Sequence, residues 1–235
     1  MSDYLKTYYT DDMRPKTDYP NKLAAYISEK YLDSSHKKLL DLGCGRGDQL
    51  RAFAALGYEV SGADNAESAK EFCEPHSVEV LNILDSKLDL EDGSIDVVFS
   101  KSVIEHLSQP EMLLKEAMRV LRPGGKIVVM CPSWVHMGWG PFYQDHTHVT
   151  PFTKPSLRDI LKLSGFCNVE VKHFRQLPIT WKYPVTENLF RIIRRLPIPY
   201  SPQHEVSYNV ELNKIVRFSK EVMLFAVAEK YEQLV

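Results

Sequence analysis

The sequence predicts an α/β protein built on a doubly wound, mainly parallel sheet. Short apolar runs alternate with amphipathic helical patterns through the first two thirds of the chain, which is the rhythm of βαβ units. The first such run passes straight into a glycine-rich turn that opens a helix, and a later run follows a Pro-Gly-Gly turn.

The elements follow in order. Lys38-Leu39-Leu40-Asp41-Leu42 reads as a buried strand, and Gly43 begins the glycine-rich turn. Asp48 is placed to cap a helix through Leu50, Phe53, Ala54 and Leu56, with Gly57 as its stop. Residues 58–63 form a second strand that ends at Asp64. A short helix over 66–73 breaks before Pro75. Residues 78–81 and 95–99 supply the third and fourth strands. Ser108-Gln109-Pro110-Glu111 has capping-box spacing with an early proline, so a helix starts there. Its apolar positions Leu113, Leu114, Ala117, Met118 and Leu121 share one side, and Pro123-Gly124-Gly125 ends it. Residues 126–130 are the fifth strand. After a long loop come a helix over 155–164 closed by Gly165, a strand over 169–174 and a last strand over 222–227.

Two regions stand outside this rhythm and divide the chain. Residues 1–35 hold six of the 12 tyrosines and no strand pattern, which suits an N-terminal helical lid or plain helix packing. Residues 177–213 hold five of the 14 prolines and read as a substrate-side insertion. The main α/β core is thus expected over 36–176, and 214–235 returns its last strand.

Composition narrows the function classes. The 235 residues are 44% hydrophobic and 26% charged, with a formal charge of −2, an ordinary globular balance. That balance excludes global electrostatic capture of nucleic acid, so no nucleic-acid partner is expected. No apolar run approaches the roughly 20 residues of a membrane-spanning helix, and Met1-Ser2-Asp3-Tyr4-Leu5-Lys6 lacks a signal pattern. Cys44, Cys73, Cys131 and Cys167 contain no C-x-x-C pair, which argues against a thiolate zinc site and fits a reducing, cytoplasmic setting. Oligomeric state is left open.

Asp41-Leu42-Gly43-Cys44-Gly45-Arg46-Gly47 follows a strand and opens a helix, where free N–H groups and close backbone approach make a ligand site. Its spacing is G-x-G-x-G and does not meet the dinucleotide fingerprint G-x-G-x-x-G. Asp41 would repel a pyrophosphate and attract an ammonium. Asp64, closing the second strand, can accept both hydroxyls of an unmodified ribose. An adenosine bearing a cationic amino-acid tail satisfies these features together.

With these residues the chain resembles the class I S-adenosylmethionine (SAM)-dependent methyltransferases, in the small-molecule branch called type 11 or type 23. The glycine turn is one match; residues 88–98, Ser102-Val103-Ile104-Glu105-His106-Leu107 and Leu121-Arg122-Pro123-Gly124-Gly125 are three more, in the family's order and spacing. The resemblance covers residues 36–175 and implies a Rossmann-like, seven-stranded sheet whose last strand is antiparallel, with SAM as cofactor. It places Asp41, Gly43, Cys44 and Gly45 around the methionine moiety, and Asp64 with Asn65 at the ribose. Asn82 and Ile83, or Leu84 and Asp85, fall beside the adenine, where the family commonly has an acid. Ser100 and Lys101 line the inner side.

The acceptor side is carried by the loop after the fifth strand, which borders the ligand crevice. Between Trp134 and Val149 it concentrates aromatics, His136, His146, His148 and Asp145. A hydroxyl acceptor needs a base of near-neutral pKa, so His146 or His148 is expected as general base with Asp145 orienting an imidazole. The alternative is that His148 bonds backbone and Asp145 caps a turn. Metal binding by His-x-His with Asp145 is a further option, but no metal is expected. Glu105-His106 looks like part of the E-x-x-E-H stretch of the ubiquinone-pathway O-methyltransferases, with Ser102 in place of the first glutamate. That leaves His106 an acid–base role. Tyr8, Tyr9, Arg14, Trp139 and Tyr143 are candidate substrate contacts. Arg191, Arg194 and Arg195, on an amphipathic stretch over 188–196 with Phe190, Ile193 and Leu196 on one face, are a solvated basic side, a clamp for phosphate or carboxylate, or a membrane-surface contact. The expected activity is methyl transfer from SAM to a small-molecule hydroxyl oxygen. An N-methyltransferase and a non-catalytic SAM-binding regulator are the alternatives.

Overall fold

The computed structural model describes residues 3–11, 14–82, 86–138, 140–201 and 210–231. Seven strands form one sheet: β1 (Lys38–Leu42), β2 (Glu59–Asp64), β3 (Ser77–Val80), β4 (Ile95–Lys101), β5 (Leu121–Pro132), β6 (Phe166–Arg175) and β7 (Val222–Lys230). Their order is β3-β2-β1-β4-β5-β7-β6, with β7 antiparallel to both neighbours and the other pairs parallel. The helices are α1 (Tyr4–Tyr8), α2 (Tyr19–Tyr31), α3 (Asp48–Ala55), α4 (Ala69–Cys73), α5 (Pro110–Val120), α6 (Trp134–Met137), α7 (Lys154–Leu163), α8 (Pro178–Lys182), α9 (Glu187–Arg195) and α10 (Val210–Lys220). None is long and apolar enough to cross a membrane.

The central strands are apolar on both faces because both are covered. Alternate residues Leu39, Val97, Phe99, Val128, Met130 and Phe225 pack against Leu23 and Ile27 of α2 and Phe53 of α3. The intervening Leu40, Leu42, Val98, Ile127 and Val129 pack against Leu113, Leu114 and Ala117 of α5 and Leu157 and Leu161 of α7. Chain order reverses between β1 and β4, so the carboxyl ends of these two strands open the crevice in which such sheets bind ligands.

Several local expectations change. Gly47, at φ 77°, holds the N-cap of α3, and Asp48 is the first helical residue. Its carboxylate accepts instead from Arg46 (2.7 Å) and Arg51 (3.0 Å). Ser108 does not cap α5; Gln109 precedes Pro110 with no side-chain cap. That helix ends at Val120, before the Pro-Gly-Gly turn, because Leu121 pairs with Ile95 and Pro123 disfavours helical backbone at Arg122. α7 starts at Lys154, through a capping box between Thr153 and Ser156. α10 occupies residues the sequence reading left without an element.

The acid-rich stretch over 88–98 is explained by packing. Arg119 donates to the carbonyls of Leu88 and Leu90 and to Asp92, while Glu116 accepts from the Leu88 N–H. Asp96 accepts from the N–H groups of Lys37 and Lys38 and from Arg122. These bonds hold β1, β4 and β5 in register beneath the site.

Candidate active site

The glycine turn brings two acids together. Asp41, near the end of β1, is buried, and burial together with the Asp64 carboxylate pushes it up to about 8, with Lys101 opposing. Gly43, Gly45 and Gly47 all have positive φ, which only glycine adopts without strain, and a Cβ on Gly43 would strike Val103 at 2.0 Å. Gly43 and Cys44 donate to the Ala63 carbonyl, tying the turn to β2. Asp64, at the end of β2, accepts from the N–H groups of Gly45 (2.8 Å) and Ala66 (2.9 Å), and from the Tyr4 hydroxyl at 3.1 Å to each oxygen. Ser100 donates to the Leu42 carbonyl. Lys101 is half-buried, and desolvation pulls its pKa down.

α1 reaches this turn from the N-terminus. Leu5 is fully buried against Cys44, Leu50, Ala66, Ala69 and Cys73. Arg46, inside the turn, donates to the carbonyls of Tyr9 and Arg14, and the Arg14 guanidinium lies 4.4 Å over the Tyr9 ring. The cysteines, scattered in sequence, are all free, but the Cys44 and Cys73 sulfurs lie 4.0 Å apart beneath the turn. Tyr19, Tyr26 and Tyr31 serve a different purpose, packing with Trp181, Phe174 and Phe225 on one face of the sheet. Asn65 and Asn82 are exposed. Ile83, Leu84, Asp85 and Trp139, and the side chain of Tyr8, lie outside the described residues.

A second cluster stands after β4. The Glu105 carbonyl accepts from the N–H groups of Val149 and Thr150, and Thr150 donates to the Leu107 carbonyl, which pins the end of the 133–152 loop onto this turn. The result sets the His148 ring 4.6 Å from the His106 ring. His148 Nδ1 lies 2.6 Å from the Phe142 carbonyl, an acceptor only, so Nδ1 carries the proton and Nε2 the lone pair. Thr147 donates to Asp145 at 2.5 Å and therefore accepts from His106 Nδ1 at 2.8 Å, leaving His106 Nε2 unprotonated as well. Burial, then His148, lower the His106 pKa. Burial alone would raise Asp145, but its bonds from Thr147 and the two imidazoles hold it below the usual carboxylate value. Glu105 is fully buried, both its carboxyl oxygens lack a partner, and burial pushes it up to about 8. Glu105, His106 and His148 each offer a ligand atom, all within 4.8 Å of one another. This carboxylate–imidazole set differs from the His-x-His with Asp145 that the sequence suggested. His146 is exposed and stands outside the cluster, and Tyr143 is exposed beside Trp134 and Phe142.

A third group lies at the carboxyl end of β6. A pocket of about 400 Å³ is lined by His136 of α6, Lys154 of α7, His173 and Arg175 of β6, and Glu187, Arg191, Arg194 and Arg195 of α9. On α9, Phe190 is buried but Leu196 is exposed, and the basic side lines this pocket with Arg194 half-buried and Arg191 and Arg195 exposed. His136, His173 and Arg175 were not singled out from the sequence as site residues. For His173 and Arg175 the one signal was the polar alternation that closes an otherwise regular strand, whereas His136 stood among the histidines of the loop after β5.

A methyltransferase domain model matches residues 40–129. The ubiquinone biosynthesis O-methyltransferase of Roseobacter denitrificans is 30% identical over 168 residues, 63% of this chain and 67% of that protein. The chain belongs to the class I SAM-dependent methyltransferases, type 11 branch. The ubiquinone biosynthesis O-methyltransferase of Idiomarina loihiensis is 31% identical over 154 residues, and the alignment spans 57% of this chain and 62% of that protein. A SAM-dependent methyltransferase from Archaeoglobus fulgidus superposes with a TM-score of 0.66 at 22% identity, covering 96% of this chain and 99% of that one, and so shares the fold. As in other members of this family, the cofactor of this methyltransferase is SAM. The residues fit it: a buried acid before a positive-φ glycine turn, and a second acid at the end of the next strand.

Proposed function

We propose that the protein methylates a hydroxyl oxygen of a small-molecule acceptor, with a histidine of the His106–His148 pair as general base. The observation that carries this reading is the pair of unprotonated Nε2 atoms, one on each ring, set beside the buried Glu105. The names of the two ubiquinone biosynthesis relatives, both O-methyltransferases, support oxygen as the target. Bound SAM supplies an electrophilic methyl carbon that is open to in-line attack. Asp41 and the N–H groups of the glycine turn hold the amino-acid tail, Asp64 holds the ribose, and Ser100 and Lys101 close the inner wall. Tyr4 must give up its share of Asp64 for the ribose hydroxyls to bind there. The imidazole Nε2 takes the acceptor's proton, and Asp145 steadies His106 through Thr147 as it does so.

A second reading rests on the same cluster. Glu105, His106 and His148 would hold a divalent ion that lowers the acceptor's hydroxyl pKa. Turnover of a panel of small phenols and alcohols, followed with a labelled methyl donor, separates the cases. The His106→Ala, His148→Ala double variant is expected to lose 10²- to 10⁴-fold in turnover while still binding SAM. Near-normal turnover in that variant would refute these histidines as the base, and turnover of small amines with none of the hydroxyl panel would favour an N-methyltransferase. Loss of wild-type turnover on chelation, restored by a divalent ion, would favour the metal.

A further inference from the structure

The basic pocket at the end of β6 is not used by the steps above, and its chemistry is one-sided. Five cationic side chains face one carboxylate, Glu187, which pairs with Arg175 and lies 3.8 Å from Arg191. Among the described residues Lys154, Arg194 and Arg195 have no ion-pair partner. Arg175 has a side chain only 4% exposed. Burial, then Arg191 and Arg194, pull its pKa down to about 10. The His136 and His173 rings lie 4.4 Å apart, and desolvation among these cations lowers both, His136 to about 4. Arg175 is the desolvated member at the floor, Lys154 and Arg194 are half-buried, and Arg191 and Arg195 stand exposed at the rim, so the excess of positive charge opens to solvent where an anion can enter.

We propose that the pocket seats a phosphoryl group carried by the methyl acceptor, so that the substrate is a phosphorylated small molecule; this rests on the methyltransferase reading above. Donors converge from β6, α6, α7 and α9, a spread of directions that suits three tetrahedral oxygens better than the two coplanar oxygens of a carboxylate. At about 400 Å³ the space exceeds what a bare ion fills and matches an organic phosphate. A membrane surface fits less well. Arg175 lies too deep for a flat headgroup layer, and α9 turns Arg194 inward while Leu189 and Ile192 remain exposed on the opposite side. The pocket also lies at the correct edge. β6 and β4 end on the same side of the sheet with β7 and β5 between them, a lateral span of about 14 Å. The 133–152 loop connects the two ends, with His136 in the pocket and His148 beside His106.

The test is calorimetric titration of phenyl phosphate, which has no free hydroxyl to methylate, into the full chain with and without SAM. Phenyl phosphate is expected to bind, with phenol and benzoate at least tenfold weaker. The Arg191→Ala, Arg194→Ala double variant removes two pocket cations of α9 without touching the buried Arg175, and is expected to weaken phenyl phosphate at least tenfold while leaving the SAM affinity within twofold. No phenyl phosphate binding, equal binding of benzoate, or equal binding by the double variant overturns the proposal. Sedimentation with phosphatidylglycerol vesicles in the absence of phenyl phosphate binding also overturns it, in favour of a lipid surface. Failure to bind SAM strikes the methyltransferase reading itself, whereas SAM binding without phenyl phosphate binding strikes this inference alone.

Discussion

If Asp41 pairs with the SAM ammonium as proposed, cofactor binding is a proton-linked event. With its pKa pushed up to about 8, the free protein at pH 7 holds this carboxyl about nine-tenths protonated. An ammonium about 4 Å away at an effective dielectric of about 20 stabilises the carboxylate by roughly 4 kcal/mol, or about three pH units. The bound-state pKa then falls to about 5, and about 0.9 proton must leave as SAM binds at pH 7. At pH 9 the group is already about nine-tenths ionised, so release drops to about 0.1 proton. Calorimetry in phosphate and in Tris reads this directly, because the slope of observed enthalpy against buffer ionisation enthalpy counts protons. Asp41→Asn is expected to bring the slope at pH 7 close to zero and to weaken SAM. A wild-type slope of zero, or proton uptake, would refute the pairing of Asp41 with the ammonium.

Glu105 sets a pH dependence of stability. Its folded pKa of about 8 lies above the ordinary 4.5, so the folded state keeps a proton that the unfolded chain loses. Stability is therefore full below about pH 4.5 and falls as pH rises towards 8; Glu105→Gln is expected to lessen that fall by up to about 3.5 kcal/mol between urea titrations at pH 5 and pH 8, and an unchanged fall would show the carboxylate is compensated. Tyr4→Phe removes the hydroxyl that shares both Asp64 oxygens, and is expected to tighten SAM by about tenfold, the value of one modest charge-assisted hydrogen bond; weaker binding would mean Tyr4 assists the cofactor. Phe53→Ala empties a fully buried site of α3 against Tyr58 and Phe99, and is expected to cost about 3–5 kcal/mol in urea unfolding; a loss below about 1 kcal/mol would show that α3 is not docked there.

What could be read from the chain depended on how local the determining contact was. β1 was legible to the residue because its apolar run meets Gly43, and the positions of Asp41 and Asp64 followed from the same βαβ spacing. The prolines of 177–213 argued against a strand, and among the described residues that segment holds helices and no strand. Pro178 and Pro184 open a helix and a helical turn, where a missing N–H costs nothing. The meeting of His148 with His106 was not legible, because it is made by backbone bonds from Val149 and Thr150 to the Glu105 carbonyl. Of the basic pocket, the α9 arginines were legible as an anion clamp, but the side that faces them was not. β7 inserts between β5 and β6, and only that antiparallel placement brings His173 and Arg175 level with the residues that follow β5.

The formal charge of −2 averages over an edge with two opposite ends. Asp41 and Asp64 gather at β1 and β2, the imidazoles stand after β4 and β5, and five cations surround the end of β6. A cationic cofactor and the anionic acceptor proposed above would each be drawn to the end that suits it and repelled from the other's. If both ends are filled as proposed, the acceptor is held by its charged end, about three strand spacings from β4. Its uncharged hydroxyl is then the part that projects towards the sulfonium and the His106–His148 pair. Orientation comes from the field across the sheet edge, and the base needs only to be in reach. Placing the charges at opposite ends also keeps Lys154, Arg194 and Arg195 away from Asp41, whose proton is held by burial and Asp64 against the opposing charge of Lys101.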